Sequence, residues 1–148
     1  MWDMAATVFG VGRSPVAPGT VASLVSLPVA WLVMMYGGPF VLLALAAAVF
    51  IFGLWASENY AVQAGNADPS ECVIDEVAGQ FIACAMAPLS IPGFAVAFVL
   101  FRLFDVSKLW PISWAERMPG GLGIMSDDLL AGVFAGAIVA VFAGVGLL

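Results

Sequence analysis

At 148 residues the chain has room for one domain, 1–148. It is 64% hydrophobic with a mean hydropathy of +1.10, well above the roughly 45–50% apolar content of soluble domains, which implies a bilayer environment. Four Lys or Arg against ten Asp or Glu leave a net charge of −6, and so few cations exclude a phosphate-tracking surface for nucleic acid.

The N-terminal MWDMAATVFG has an Asp where a signal peptide carries positive charge, and it lacks an apolar core before Arg13, so no cleaved signal is expected. Next comes GRSPVAPGT at 12–20. Pro18-Gly19 reads as a turn, Thr20 as a helix N-cap, and Ser23 sits one turn further on. The same features, with Arg13 nearby, suit an anion site at a helix N-terminus, although turn and cap is the simpler local reading.

Five apolar segments follow, at 20–36, 39–56, 77–89, 93–106 and 129–148, each bounded by Gly, Pro or charge. The second and fifth, at about 1.5 Å per residue, reach roughly 27–30 Å, the thickness of a hydrocarbon core. The third and fourth are short and read either as a re-entrant hairpin or as two crossings with polar ends at the boundary. Residues 57–72 read as a polar loop with at most one helical turn. Cys72 and Cys84 are too far apart for a CxxC motif and too few for a disulfide framework, so both are read as free thiols, Cys84 as packing. The expected fold is all-α: a polytopic integral membrane helical bundle of about five hydrophobic helices, some short or re-entrant.

The few charges lie in clusters between these segments, at SECVIDE (70–76), FRLFDVSK (101–108), WAERM (114–118) and SDD (126–128). If all five segments cross, the connections at 37–38 and 90–92 emerge uncharged on one side and every charge faces the other. That side holds Arg13, Lys108 and Arg117, so the positive-inside rule makes it cytoplasmic, with the N-terminus in. Omitting the third and fourth segments as a pair gives the same sidedness.

Ionisable groups near hydrocarbon are costly and usually functional. Asp75 and Glu76 are expected to open the third segment, with Gln80 one turn on from Glu76. Arg102, Asp105 and Lys108 follow at i, i+3 and i+6, so Asp105 can neighbour both cations. Asp127 and Asp128 are expected to open the fifth after Gly120, Gly121 and Gly123, read as flexible backbone or as a loop approaching a head group. Taken singly, Asp75 and Asp127 read equally as N-caps, with Glu76 and Asp128 as favourable first-turn charges. A structural ion pair is the lesser reading of Arg102 and Asp105, whereas Glu58, Asp68 and Glu71 read as solvated loop charges and Glu116 with Arg117 as an interfacial anchor. Capping, however, needs one acid per helix, and it does not explain why cations gather on the same face. Hard oxygens beside guanidinium and ammonium are what a divalent cation and a phosphate require.

With no histidine in the chain, phosphohistidine phosphatases and Ser-His-Asp hydrolases are excluded. Neither cysteine has an arginine five residues on, and no DxDxT-like motif is present. An enzyme built from this chain would work through carboxylates and a metal ion, with water as nucleophile.

The blocks GRSPVAPGTVASL (12–24), VIDEVAGQFIA (73–83), FRLFDVSKLWPI (101–112) and GGLGIMSDDLLAGV (120–133) resemble, in order and over nearly the whole chain, the signature blocks of the phosphatidylglycerophosphatase A family. The resemblance implies a multi-pass enzyme of the bacterial cytoplasmic (inner) membrane, its site facing the cytoplasm. Such an enzyme removes the terminal phosphate of the lipid phosphatidylglycerophosphate and requires Mg²⁺. By matched position it implies functional roles for Asp75, Glu76, Arg102, Asp105, Lys108, Asp127 and Asp128, with Gly19, Thr20 and Ser23 in the first block. The expected metal ligands are Asp75, Glu76, Asp105, Asp127 and Asp128. The expected phosphate contacts are Arg102 and Lys108, with Arg13, Gly19, Thr20 and Ser23, and the expected catalytic set is Asp127, Asp128, Asp105, Arg102 and Lys108. An aspartyl-phosphate on Asp127 or Asp128 is the competing chemistry.

Two other readings use the same residues. One is a small ion- or proton-coupled transporter, against which stand the absence of inverted halves and the gathering of charge at one face. The other is an assembly subunit, or a homo-oligomer of the enzyme, packing through Gly132, Gly136, Ala140 and Gly144.

Overall fold

The computed structural model describes residues 2–148. It is all-helical: α1 (Trp2–Ala6), a 3-10 turn (Val11–Arg13), α2 (Pro18–Ala64), α3 (Ile74–Ala85), α4 (Ile91–Ser107), α5 (Ile112–Ala115) and α6 (Gly121–Gly144). Two of these, α2 and α6, are long and apolar enough to cross a membrane.

The 47-residue α2 is two arms, 18–37 and 39–64, broken where Gly38 takes φ 75° and ψ −177°. Glycine tolerates that backbone, and Pro39, with its fixed φ, starts the second arm. The chain reverses there, because Ser23 of the first arm meets Glu76 while Leu54 of the second meets Gly121, so both outer ends lie at the same end of the bundle. The expected segments 20–36 and 39–56 are these arms. α3, the reversed α4 and α6 pack against them around Leu42, Ala46, Phe81, Phe101, Ala135 and Val139. The start of α4 lies beside Leu27, Pro28 and Trp31, with Trp31 and Phe94 edge to face at 5.0 Å. The α3–α4 hairpin thus turns about 10 Å, seven helical residues, short of Gly38.

Several expected boundaries are corrected. Residues 57–64 are helical because Tyr60 and Ala61 bury apolar surface there, and the polar Ser57 and Asn59 are accommodated by donating back to Gly53 and Trp55 carbonyls at 2.6 and 2.7 Å. Thr20 is no N-cap: α2 already starts at Pro18, after Ala17 at φ 43°. Asp75 is no N-cap either, since Val73 occupies that position and Asp75 lies in the first turn. Asp127 and Asp128 do not open α6, which begins six residues earlier at Gly121. Of the glycines before them, Gly121 and Gly123 are packing contacts rather than a flexible loop, while Gly120 precedes the helix at φ 61°. A Cβ on Gly121 would lie 2.1 Å from the Leu54 carbonyl oxygen, and one on Gly123 would lie 2.2 Å from that of Met118.

The small-residue ridge of α6 is internal along its first half. A Cβ on Gly132 would stand 2.3 Å from the Gly79 carbonyl oxygen, and one on Gly136 would stand 2.6 Å from the Met86 sulfur. Those two positions are used against α3 and the turn after it, whereas Gly144 has open space around it.

Candidate active site

Four segments bring their polar residues to one end of the bundle, around a cleft of about 350 Å³. Its lining includes Gly19, Asp75, Glu76, Asp105, Lys108, Asp127 and Asp128, together with residues 67–70, 116 and 118–120.

Arg102 does not itself line the cleft but joins two of the carboxylates that do. Its Nη1 donates to Glu76 Oε2 and is paired with Asp105 Oδ2 at 2.5 Å, one turn along α4. The sequence expectation of an i, i+3 Arg102–Asp105 pair is met, with Glu76 as an added partner from α3. Glu76 also accepts from the Ser23 hydroxyl at 3.1 Å, and Ser23 donates to the Gly19 carbonyl at 2.9 Å. Gly19 is required where it stands: a Cβ there would lie 1.8 Å from Glu76 Oε1.

Lys108 joins two others. It leaves α4 in a left-handed conformation, φ 45°, so it does not pair with Asp105 as the helical spacing suggests. Its Nζ donates instead to Asp127 Oδ2 at 2.8 Å and Glu116 Oε1 at 2.6 Å. Burial pulls the ammonium pKa down, but these two bonds outweigh it and hold the group above the ordinary lysine value.

Glu76, Asp105 and Asp128 are buried, and one carboxylate oxygen from each lies within 4.8 Å of the others. That spacing suits oxygens bound at about 2.0–2.6 Å to one shared cation. The donor chemistry also fits, since all three are hard oxygens and no ion pair reaches Asp128 or Asp75 among the described residues. Asp75 lines the same cleft and accepts the Glu76 backbone N–H at 2.9 Å. Two buried polar atoms nearby lack partners, Arg102 Nε and Gln80 Oε1. Gln80 is fully buried and donates to Cys84 Sγ at 3.4 Å.

Not every expected site residue gathers here. Arg13 pairs with Asp3 at 2.7 Å on the exposed surface and does not line the cleft. Thr20 is part-buried on α2 and makes no side-chain hydrogen bond. Sequence reasoning missed Glu116, which it read as an anchor, and Asp68, which lines the cleft. It also missed that Glu71 accepts from the Tyr60 hydroxyl and so ties the cleft loop to α2. None of these carries a local signal. Lys108 and Glu116 are eight residues apart across a turn, and only the path through α5 brings them together.

Comparison with known proteins bears on the chemistry. A family model described as phosphatidylglycerophosphatase A matches residues 4–143. The chain belongs to the phosphatidylglycerophosphatase A family.

The family's phosphatidylglycerophosphatase A of Escherichia coli (strain K12) is 37% identical over 141 residues, covering 93% of this chain and 81% of its own. That of Haemophilus influenzae is 36% identical over 137 residues, covering 91% and 83%. A Bacteroides thetaiotaomicron relative, provisionally named a phosphatidylinositol-3-phosphatase, is 37% identical over 143 residues, covering 91% and 89%. No solved structure matches the chain. Family membership makes the protein a phosphatase.

Proposed function

We propose that the protein is a Mg²⁺-dependent phosphatase of the bacterial cytoplasmic membrane that hydrolyses the terminal phosphate of phosphatidylglycerophosphate, giving phosphatidylglycerol and inorganic phosphate. The observation that carries this reading is the convergence of Glu76, Asp105 and Asp128 within 4.8 Å, with Arg102 and Lys108 beside them. Carboxylates outnumber cations in a buried cleft, and such a surplus is costly unless a cation offsets it. The names of the E. coli and H. influenzae relatives supply the substrate. That of the Bacteroides relative points to the same bond type, a phosphomonoester on a lipid head group. A transporter reading has no relative behind it.

The reading includes a multi-pass chain: the two arms of α2 and α6 cross, and α3–α4 enters as a shorter hairpin from the cytoplasmic side. Supporting it, the ionic contacts cluster at one end of the bundle, and Trp110 and Trp114 at that end are 82% and 58% exposed. Exposed tryptophans are favoured at the head-group level, which is where the substrate's phosphate lies.

Glu76, Asp105 and Asp128 would hold the metal, with Asp75 and Asp127 at the same cleft. When bound, Mg²⁺ would neutralise charge on a phosphoryl oxygen and acidify a water. Arg102 and Lys108 bind and orient the remaining phosphoryl oxygens and stabilise the charge that builds there. Asp127 keeps the ammonium of Lys108 aimed at the cleft, while Ser23 holds the Glu76 carboxylate and Gly19 leaves it room. Water is the nucleophile in this scheme. Radiolabelled phosphate trapped on Asp127 or Asp128 would replace it with the aspartyl-phosphate route.

Purified protein should release phosphate from phosphatidylglycerophosphate with Mg²⁺, stop on chelation and recover when Mg²⁺ is restored. Asp128→Asn and Asp75→Asn should each lower kcat by at least about 100-fold with the helical circular dichroism unchanged. Absence of release with every divalent cation tried overturns the proposal.

A further inference from the structure

Arg102 and Lys108 are each already paired with two carboxylates. Arg102 is held by Glu76 and Asp105, and Lys108 by Asp127 and Glu116. An incoming phosphate therefore competes with these carboxylates for the two cations. Three of the four side chains are only 8–12% exposed, and removing the cation from any of them takes a partner from a buried charge that water does not reach freely. Glu116 differs: its side chain is 41% exposed, so once released it is solvated by water. An exposed pair of this kind is worth only about 0.2–1 kcal/mol. Glu116 also stands on the cleft wall, in the stretch from Glu116 to Gly120 that closes one side.

We infer that Glu116 is a displaceable stand-in for the substrate phosphate. It occupies a donor of Lys108 when the cleft is empty of anion and swings to solvent when a phosphomonoester arrives, while Asp127 keeps its own bond throughout. Lys108 has three donors and uses two of them here, so the exchange replaces one carboxylate oxygen with a phosphoryl oxygen and leaves the buried Asp127–Lys108 bond intact. The consequence is selectivity by competition. A ligand must bring more charge than a single carboxylate to hold Lys108, and inorganic phosphate leaves more readily because Glu116 returns. The inference deepens the proposed phosphatase reading and rests on it for the identity of the anion.

The test reads inorganic phosphate binding to the full-length protein in detergent by ³¹P NMR titration, without turnover. Glu116→Gln should bind phosphate about two- to fivefold more tightly than the parent, the range set by an exposed ion pair. Glu116→Ala should do the same, which keeps the test readable if the glutamine variant misfolds. Glu58→Gln removes a nearby carboxylate that does not touch Lys108 and should change nothing. In a Lys108→Gln background, Glu116→Gln should lose its effect. Unchanged or weaker binding in both Glu116 variants overturns the inference, as does equal tightening in Glu58→Gln, which would mark a general field effect. Because binding is read without catalysis, failure to cleave phosphatidylglycerophosphate counts against the proposed activity alone.

Discussion

Gly19 shows how much one missing side chain decides. A Cβ on it would lie against the Glu76 carboxylate and 3.3 Å from Arg102 Nη1, so there is no volume for a methyl group. Gly19→Ala should push the carboxylate out of its position, and misplacement of about 1 Å can cost roughly 100-fold in rate. The expected outcome is a large fall in kcat/KM with a nearly unchanged melting curve, because α2 itself gains a better helix former. Ser23→Ala removes one hydrogen bond to the same carboxylate, worth about 0.5–1.5 kcal/mol. Metal affinity, followed by activation with increasing Mg²⁺, should fall by up to about tenfold. Cys72 is governed by its surroundings in another way. Burial, reinforced by the negative charge of Asp75, pushes its thiol well above the usual cysteine range. The thiolate is scarce at pH 8, so iodoacetamide should label Cys72 slowly in the folded protein and rapidly after denaturation, read by mass spectrometry.

At the scale of elements, the contact between α3 and α6 sets the site, since α3 carries Asp75 and Glu76 and α6 carries Asp127 and Asp128. Gly79 and Gly132 face each other there, with backbone approaching backbone. Gly132→Leu should force the helices apart and destabilise the protein by about 1–3 kcal/mol, lowering the melting temperature and the activity together. Gly144→Leu, with open space around it, should stay within about 0.5 kcal/mol of the parent. The recurrence of small residues in α6 is legible in the sequence, but what they pack against is not. The same spacing serves a neighbouring helix or a second copy, and only the position of Gly79 and Met86 distinguishes them. Helix starts were also poorly legible. Glycine-rich PGGLGIM has low helix propensity, yet its glycines are what let α6 pass the Leu54 carbonyl, so packing overrides propensity.

For the whole molecule, the proposed topology makes the two ends of the α2 arms differ in access. In a Cys72→Ala, Cys84→Ala background, Gly38→Cys should react with an impermeant maleimide in intact cells. Val62→Cys should react only after permeabilisation, and the reverse pattern would invert the site to the outer face. Composition determined that the chain is apolar, the lengths of its apolar segments that it is helical, and the order of its charge clusters which residues compete for functional roles, because all three depend on residue type and spacing. Family membership was also legible, since the blocks that carry it are contiguous stretches. Tertiary structure decided the rest. It brought Glu76, Asp105 and Asp128, out of five similar acids, within 4.8 Å of one another, gave Lys108 to Glu116 and Asp127, and left Arg13 with Asp3. Those choices come from side chains on different segments meeting across the bundle, over distances that no local pattern encodes.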